Sequence, residues 1–185
     1  AFRREEFDWL RAGKDETQLV AAPTNIADYE DWIERFLQSI VLVNKLRETR
    51  VLSGFTRVLP DNSRPLNERK SMLWRDMPPG QAEWLPGHIV FGEGILLVLD
   101  EDTLRSWEAG KADALSKRLD SLYRNYAMVR GVRGLGERPL SPRFVLLHTL
   151  AHVLMNRLTF ECGYSSASIR ERLYVSDDEA HPMAW

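Results

Sequence analysis

The chain has 185 residues, of which 44% are hydrophobic and 28% are charged, and its formal net charge is −2. These values are typical of one globular domain and exclude a generally basic nucleic-acid coat protein, although a local basic patch remains compatible with them. A single cysteine cannot form an internal disulfide, so we expect a reducing, cytoplasmic setting. We expect one domain over residues 1–185. Because the chain lacks an initial Met and stops directly after an apparent helix end, we expect a fragment, or the ordered part, of a longer chain.

The N-terminal half is predicted to alternate helices and strands. Residues 2–11 have the pattern of a short helix, and residues 17–22 that of a strand or an extended connector. Apolar residues at three- and four-residue spacing predict a long amphipathic helix from Asp28 to Glu48. Residues 50–59 are predicted to form a strand and residues 60–83 a long loop. Residues 84–100 contain two apolar runs around Gly92-Glu93-Gly94, which predict a hairpin or a bulged strand pair.

The C-terminal half is predicted to be mainly helical. Helices are expected from Asp102 or Thr103 to Trp107 and over residues 111–128. A central helix begins at the N-cap Ser141 and ends at Gly163. A short helix is expected from an N-cap within residues 165–168 to Arg172, with Ser168 and Glu171 at capping-box spacing. The central helix is apolar on nearly every face, which predicts burial, while its polar residues exclude a membrane span. The sequence therefore predicts an α+β fold, with a small antiparallel sheet packed against a mainly helical bundle with a buried central helix.

Two histidines in the central helix, His148 and His152, are four residues apart and can both reach one metal ion. Their spacing is that of the zinc-protease motif HExxH, but Thr149 replaces the glutamate that would act as general base. A metal-dependent hydrolase is therefore the weakest hypothesis, and a structural zinc held by both histidines, Cys162 and His181 is an alternative. We favour buried histidines that form hydrogen bonds in the core. We thus assign no catalytic residue and no metal site, and His148, His152 and Cys162 are only remote metal candidates.

The segment from Lys117 to Arg143 has seven basic and two acidic residues, a net charge of seven minus two, or +5. Glycines in its middle allow backbone N–H groups to approach a ligand, and it leads into a helix N-terminus, where an anion is favoured. Its spacing matches neither GxxxxGK[ST] nor a dinucleotide-binding fingerprint. Two interpretations remain: a solvated basic loop, or contact with nucleic acid or an acidic partner. The candidate nucleic-acid-binding residues are Arg130, Arg133, Arg138 and Arg143.

Four stretches carry a resemblance to a known family. They are FRREEF at 2–7, KLRETRVLSGFTRV at 45–58, WLPGHIVFGEGILLVLDEDTLRSWE at 84–108 and LLHTLAHVLMNRLTFECGYSSASIRERLYV at 146–175. They resemble the DrmB family of the DISARM anti-phage defence system, a helicase-associated zinc-binding domain family. The last stretch is the most specific, because LHTLAH is followed by GYSSASIRERLY. The resemblance implies that zinc is bound through cysteine-bearing segments of the full-length chain, so we expect no cofactor within these residues.

The resemblance also implies a function. It indicates a non-catalytic accessory subunit that binds a superfamily 2 helicase, a DrmA-like protein, so that the pair binds DNA and moves on it. ATP hydrolysis is then expected in the helicase, and single-stranded DNA is a candidate ligand for the basic segment. A purely structural scaffold of the helicase without DNA contact is the first alternative, and the metal-dependent hydrolase is the second. No membrane partner is expected.

Overall fold

The computed structural model describes residues 2–52, 85–133, 140–165, 167–176 and 183–184. In this part of the chain a four-stranded antiparallel sheet is combined with helices that precede and follow it in sequence, which confirms the predicted α+β class. The predicted long loop, most of the strand at 50–59, and the candidate residues Arg138 and His181 lie outside the described residues.

The first half of the chain contains helix α1 (Phe2–Ala12) and strands β1 (Lys14–Asp15), β2 (Leu19–Pro23) and β3 (Leu37–Val51), with a 3-10 turn (Ile26–Asp28) and the one-turn helix α2 (Asp31–Glu34) before β3. The second half contains strand β4 (Gly87–Leu99), helices α3 (Glu101–Gly110), α4 (Ala112–Arg133) and α5 (Pro142–Cys162), and the short strands β5 (Val175–Ser176) and β6 (Met183–Ala184). The sheet order is β1-β2-β3-β4, and β5 pairs separately with β6.

The long helix predicted from Asp28 to Glu48 is wrong, because most of this stretch forms strand β3. Its central run contains β-branched residues, and Val41 and Val43 are both buried on the same side of the strand. Strand β3 is hydrogen-bonded to β2 on one edge and to β4 on the other. The helical spacing was therefore misleading, because β-branched side chains pack well on a pleated surface and two ladders satisfy the backbone of this strand.

Strand β4 contradicts both alternatives for residues 84–100, because the two apolar runs do not pair with each other. It is one strand that pairs antiparallel with β3, from Leu37↔Leu99 to Val51↔Gly87. Glu93 therefore lies in the middle of a strand rather than in a hairpin turn. The register shifts between Val43 and Leu46, opposite this position, so a bulge is present, but it lies between β3 and β4 and not between the two predicted runs.

The three long helices of the second half form close to where the sequence predicts them. Helix α3 begins after Asp100, whose side chain accepts a hydrogen bond of 2.8 Å from the backbone N–H of Thr103. Helix α4 extends to Arg133, so part of the predicted basic loop is helical. Helix α5 has its predicted ends: the Ser141 hydroxyl accepts from the backbone N–H of Phe144 at 3.3 Å, and Gly163 has a left-handed φ of 72°.

The predicted burial of α5 is wrong. Only Arg143 and Leu147 of this helix are buried, whereas Phe160 is 85% exposed and Val153 is 54% exposed. The N-terminal half of α5 packs on the rest of the chain, while its C-terminal half presents apolar side chains to solvent. Apolar residues on every face predict burial only where a covering surface is also present. No helix of the described residues has both the length and the apolar character needed to cross a bilayer.

Among the described residues, two hydrophobic clusters hold the fold together, and one extended segment belongs to both. The first cluster packs α1 on the sheet and includes Phe7, Leu10, Leu19, Ala21, Val41, Val43, Leu96, Val98 and Tyr174. The second joins Leu104 of α3 to Leu147 of α5, with Leu173 and Val175 packed against them. Tyr174 thus points into the first cluster while its two neighbours contact the second. This segment, residues 170–176, connects α5 to the sheet.

Candidate functional site

Helix α5 places His148 and His152 side by side on one face. Their ring centroids are 4.5 Å apart, and the ring of Phe144 lies 5.9 Å from that of His148 on the preceding turn. This is the neighbour relation that a four-residue spacing produces on a helix. The two imidazole side chains are 43% and 53% exposed. The prediction that they are buried hydrogen-bonding groups of the core is therefore wrong.

A third side chain, Glu171, meets the two histidines. Its carboxylate oxygens lie 3.5 Å from Nε2 of His148 and 3.9 Å from Nε2 of His152. The ligand atoms of these three residues all lie within 4.8 Å of one another. Imidazole nitrogen and carboxylate oxygen are ligands of zinc and of other first-row transition metals. The site can therefore supply three protein ligands to one metal ion.

Sequence reasoning missed Glu171 because it predicted a short helix at this position. The structure has a turn instead, in which the Ser168 hydroxyl donates to the carbonyl of Ser165 at 2.7 Å, followed by extended chain. Glu171 therefore reaches α5 rather than capping a helix of its own. The signal that could have found it was the run of three charged residues at 170–172, which leads directly into the apolar residues 173–175 that anchor the segment in the two clusters.

The other metal candidates lie elsewhere or lack the required chemistry. Cys162 is exposed and ten residues beyond His152 in α5, which corresponds to about 15 Å along the helix axis. At the position of the general base in HExxH, Thr149 donates its hydroxyl to the carbonyl of Val145 at 2.7 Å. That hydroxyl is bonded to its own helix, so it does not replace a glutamate that activates water.

Residues that follow Glu171 fasten the same segment to the first cluster. Arg172 forms ion pairs with Glu6 of α1 and with Glu48 of β3, the latter at 3.0 Å. Burial opposes the charge of Arg172, but the Glu6 carboxylate outweighs it and raises the pKa of the guanidinium. Burial, and then the proximity of Glu6, raises the pKa of the Tyr174 hydroxyl above its ordinary value. Glu171 and Arg172 thus link α5 on one side to α1 and β3 on the other.

The last candidate of the basic segment, Arg143, is a buried residue of the fold. Its guanidinium donates two hydrogen bonds to Glu108, from Nε at 3.0 Å and from Nη2 at 2.7 Å. A third, from Nη1, goes to the carbonyl of Ser176 at 3.0 Å, and Glu101 lies 3.3 Å from Nη2. These contacts join α5, α3 and β5, so the guanidinium of Arg143 is committed to the fold rather than presented to a phosphate.

The remaining basic residues are distributed along α4. Lys117, Arg118 and Arg124 are exposed on this helix, and Arg130 and Arg133 belong to its last turns. Cations near a helix C-terminus are favoured by the helix dipole even without a ligand. The structure describes the backbone of Arg133 but not its side chain, and Arg138 lies outside the described residues.

Comparison with known proteins identifies the relationship of this chain. No family model matches it. Over 174 residues, 92% of its length, the chain is 32% identical to the DISARM protein DrmB of Bacillus paralicheniformis. The chain is DrmB-like. It spans 29% of the length of that relative.

The DrmB-like chain also has an exposed apolar surface. We use the name α5 outer face for the four exposed apolar side chains of the C-terminal half of α5, which are Val153, Leu154, Leu158 and Phe160. Val153 and Phe160 are seven residues apart and form one stripe, and Leu154 and Leu158 are four apart and form a second. Both stripes lie away from the side that carries the histidines. Exposed apolar groups of this extent typically mark a protein–protein contact.

Proposed function

We propose that the chain is part of a component of a DISARM anti-phage defence system, in which it acts as a non-catalytic accessory subunit of a DNA helicase or translocase. The observation that carries this proposal is the 32% identity to a DISARM protein DrmB over 92% of the chain. The partner is a superfamily 2 helicase, a DrmA-like protein, and this partner binds and hydrolyses ATP. The accessory subunit contributes a docking surface and contacts to DNA.

The α5 outer face is the docking surface for the helicase in this proposal. Phe160 is the most exposed large apolar side chain of the described residues, and Val153 lies two turns before it on the same stripe. Leaving such side chains in water is unfavourable by about 25 cal/mol for each Å² of apolar surface. Aromatic side chains surrounded by aliphatic ones are typical anchors of protein–protein interfaces.

The test is the affinity of the full-length protein for the purified helicase, measured by calorimetry. We expect the double variant Val153→Ser, Phe160→Ser to bind at least about 10-fold more weakly, since each buried apolar side chain contributes about 1.5–3 kcal/mol. A matched control is Ile89→Ser, Phe91→Ser, which removes the same kinds of exposed side chain from β4. Wild-type affinity of the α5 variant would contradict the proposed docking surface. If the α5 variant instead unfolds more readily in the absence of helicase, the protein's own chain covers this face.

Contact with DNA is the second part of the proposal, and the basic segment supports it. We expect Arg130, Arg133 and Arg138, replaced together by Gln, to weaken DNA binding by the assembled complex. The slope of log affinity against log salt should become less steep by about 2, because each phosphate contact to a single strand contributes about −0.7. The control replaces three exposed arginines outside the segment, which are Arg11, Arg35 and Arg47. An unchanged slope in the first variant would exclude this DNA contact.

A structural scaffold without DNA contact is the second candidate function, and Arg143 favours it. Among the basic residues of the segment whose side chains the structure describes, the most buried, Arg143, is held by Glu108 and Glu101 rather than presented outward. Under this alternative, DNA in the active complex crosslinks only to the helicase. The metal-dependent hydrolase is the weakest alternative, since Thr149 occupies the position of the general base.

A further inference from the structure

We propose that His148, His152 and Glu171 form a binding site for one divalent transition metal ion, with Zn²⁺ as the best-suited ion. Zinc bonds of about 2.1 Å in a tetrahedral arrangement place neighbouring ligand atoms about 3.4 Å apart. The carboxylate of Glu171 lies 3.5 Å from one imidazole nitrogen and 3.9 Å from the other. Small rotations of these partly exposed side chains bring the three ligand atoms, which lie within 4.8 Å of one another, to this spacing and leave the fourth ligand position open.

The geometry of the cluster suits a metal ion. The two imidazole rings have centroids 4.5 Å apart, and a nitrogen of each ring and an oxygen of the Glu171 carboxylate all lie within 4.8 Å of one another. A divalent cation between them accepts a lone pair from each of the three side chains. Their exposure also gives the ion an entry path.

The position of the site suggests what the metal does. Glu171 belongs to the extended segment of residues 170–176, whose next residue, Arg172, pairs with Glu6 and Glu48. A metal bridge from this segment to α5 therefore ties the helix to α1 and β3. The site uses no thiolate, so it is distinct from the cysteine-based zinc binding that the family resemblance implies. It goes beyond the proposed function, because helicase docking requires neither the metal nor these ligands.

The test begins with the metal-free 185-residue chain and a calorimetric titration with Zn²⁺. We expect one equivalent to bind, and we expect His148→Ala, His152→Ala and Glu171→Gln each to lower the affinity by about 100-fold or more, because even outer-shell partners contribute 10–100-fold. Two control variants replace the same residue types outside the site. They are His88→Ala on β4 and Glu161→Gln on α5, where Glu161 pairs with Arg157. Both controls should bind within twofold of the wild type.

A second measurement reports the bridge directly. Zn²⁺ should slow amide hydrogen exchange over residues 170–176 in the wild type and leave it unchanged in Glu171→Gln, whose fold is checked by circular dichroism. Parallel titrations with Fe²⁺, Co²⁺ and Mg²⁺ identify the class of metal that binds. Tighter binding of Mg²⁺ than of the other ions would overturn the assignment to a transition metal. The proposal also fails if no saturable binding occurs, if Glu171→Gln binds as the wild type, or if Cys162→Ser rather than Glu171→Gln abolishes binding.

Discussion

Replacing Arg143 by Met tests whether the last residue of the predicted DNA-binding set is structural. The guanidinium makes two charge-assisted hydrogen bonds to Glu108 and one hydrogen bond to the carbonyl of Ser176. Breaking a buried ion pair by removing one partner costs about 3–5 kcal/mol. The side chains of Glu101 and Glu108 keep 24% and 23% of their surface exposed, so water compensates part of the loss. We therefore expect Arg143→Met to lower the free energy of unfolding by about 3 kcal/mol, the lower end of that range.

For a protein of this length, about 3 kcal/mol corresponds to a fall in Tm of about 6–12 °C. Thermal unfolding followed by circular dichroism measures it. Arg105→Met is the matched control, because Arg105 pairs with Glu101 at 2.8 Å on the exposed side of α3. An exposed pair of this kind contributes about 0.2–1 kcal/mol, so its Tm should fall by at most about 4 °C.

Two further measurements complete the Arg143 test. Adding Glu108→Gln to Arg143→Met should recover at least about 1 kcal/mol, since the unpaired carboxylate is then removed. At a temperature where Arg143→Met is folded, the salt dependence of DNA binding by the complex should equal that of the wild type. Equal Tm losses in Arg143→Met and Arg105→Met would refute the structural role, and so would a flattened salt slope.

Two further predictions concern backbone conformation and pH. Gly163→Ala should lower the free energy of unfolding, measured by denaturant titration, by about 1 kcal/mol, because the φ of Gly163 is left-handed at 72° and the space around it is open. Gly13→Ala should cost at least about 2 kcal/mol in the same denaturant titration, since a Cβ there would lie 2.6 Å from Cδ of Pro23 at a φ of 71°. Equal costs would contradict the clash. The hydrogen bonds from Thr103 hold the pKa of Asp100 below its ordinary 3.8, so the stability that they confer is present above pH about 4 and is lost as the pH falls below it. The Tm difference between wild type and Asp100→Ala, about 2–4 °C at pH 7, should therefore shrink below pH 4, whereas that between Asp100→Asn and Asp100→Ala should not.

Local signals in the sequence determined both ends of α5. Ser141 and Gly163 fixed the limits of α5, because a side-chain cap and a left-handed residue act on groups only a few residues away. The same kind of signal failed for residues 28–48, where the spacing of apolar residues fits a helix. In this stretch the β-branched residues and two neighbouring strands decided the outcome, and pairing partners distant in sequence are invisible to local periodicity.

For the candidate site, too, the sequence determined some features and the tertiary structure the others. The sequence alone placed His148 and His152 on one helical face, and it showed that Thr149 stands where a catalytic glutamate would be. Only the tertiary structure brought Glu171 to the two histidines, exposed the apolar side of α5, and buried Arg143 against Glu108. Helical neighbours follow from a fixed rise and turn per residue, whereas partners 19 to 35 residues away depend on how separate elements pack.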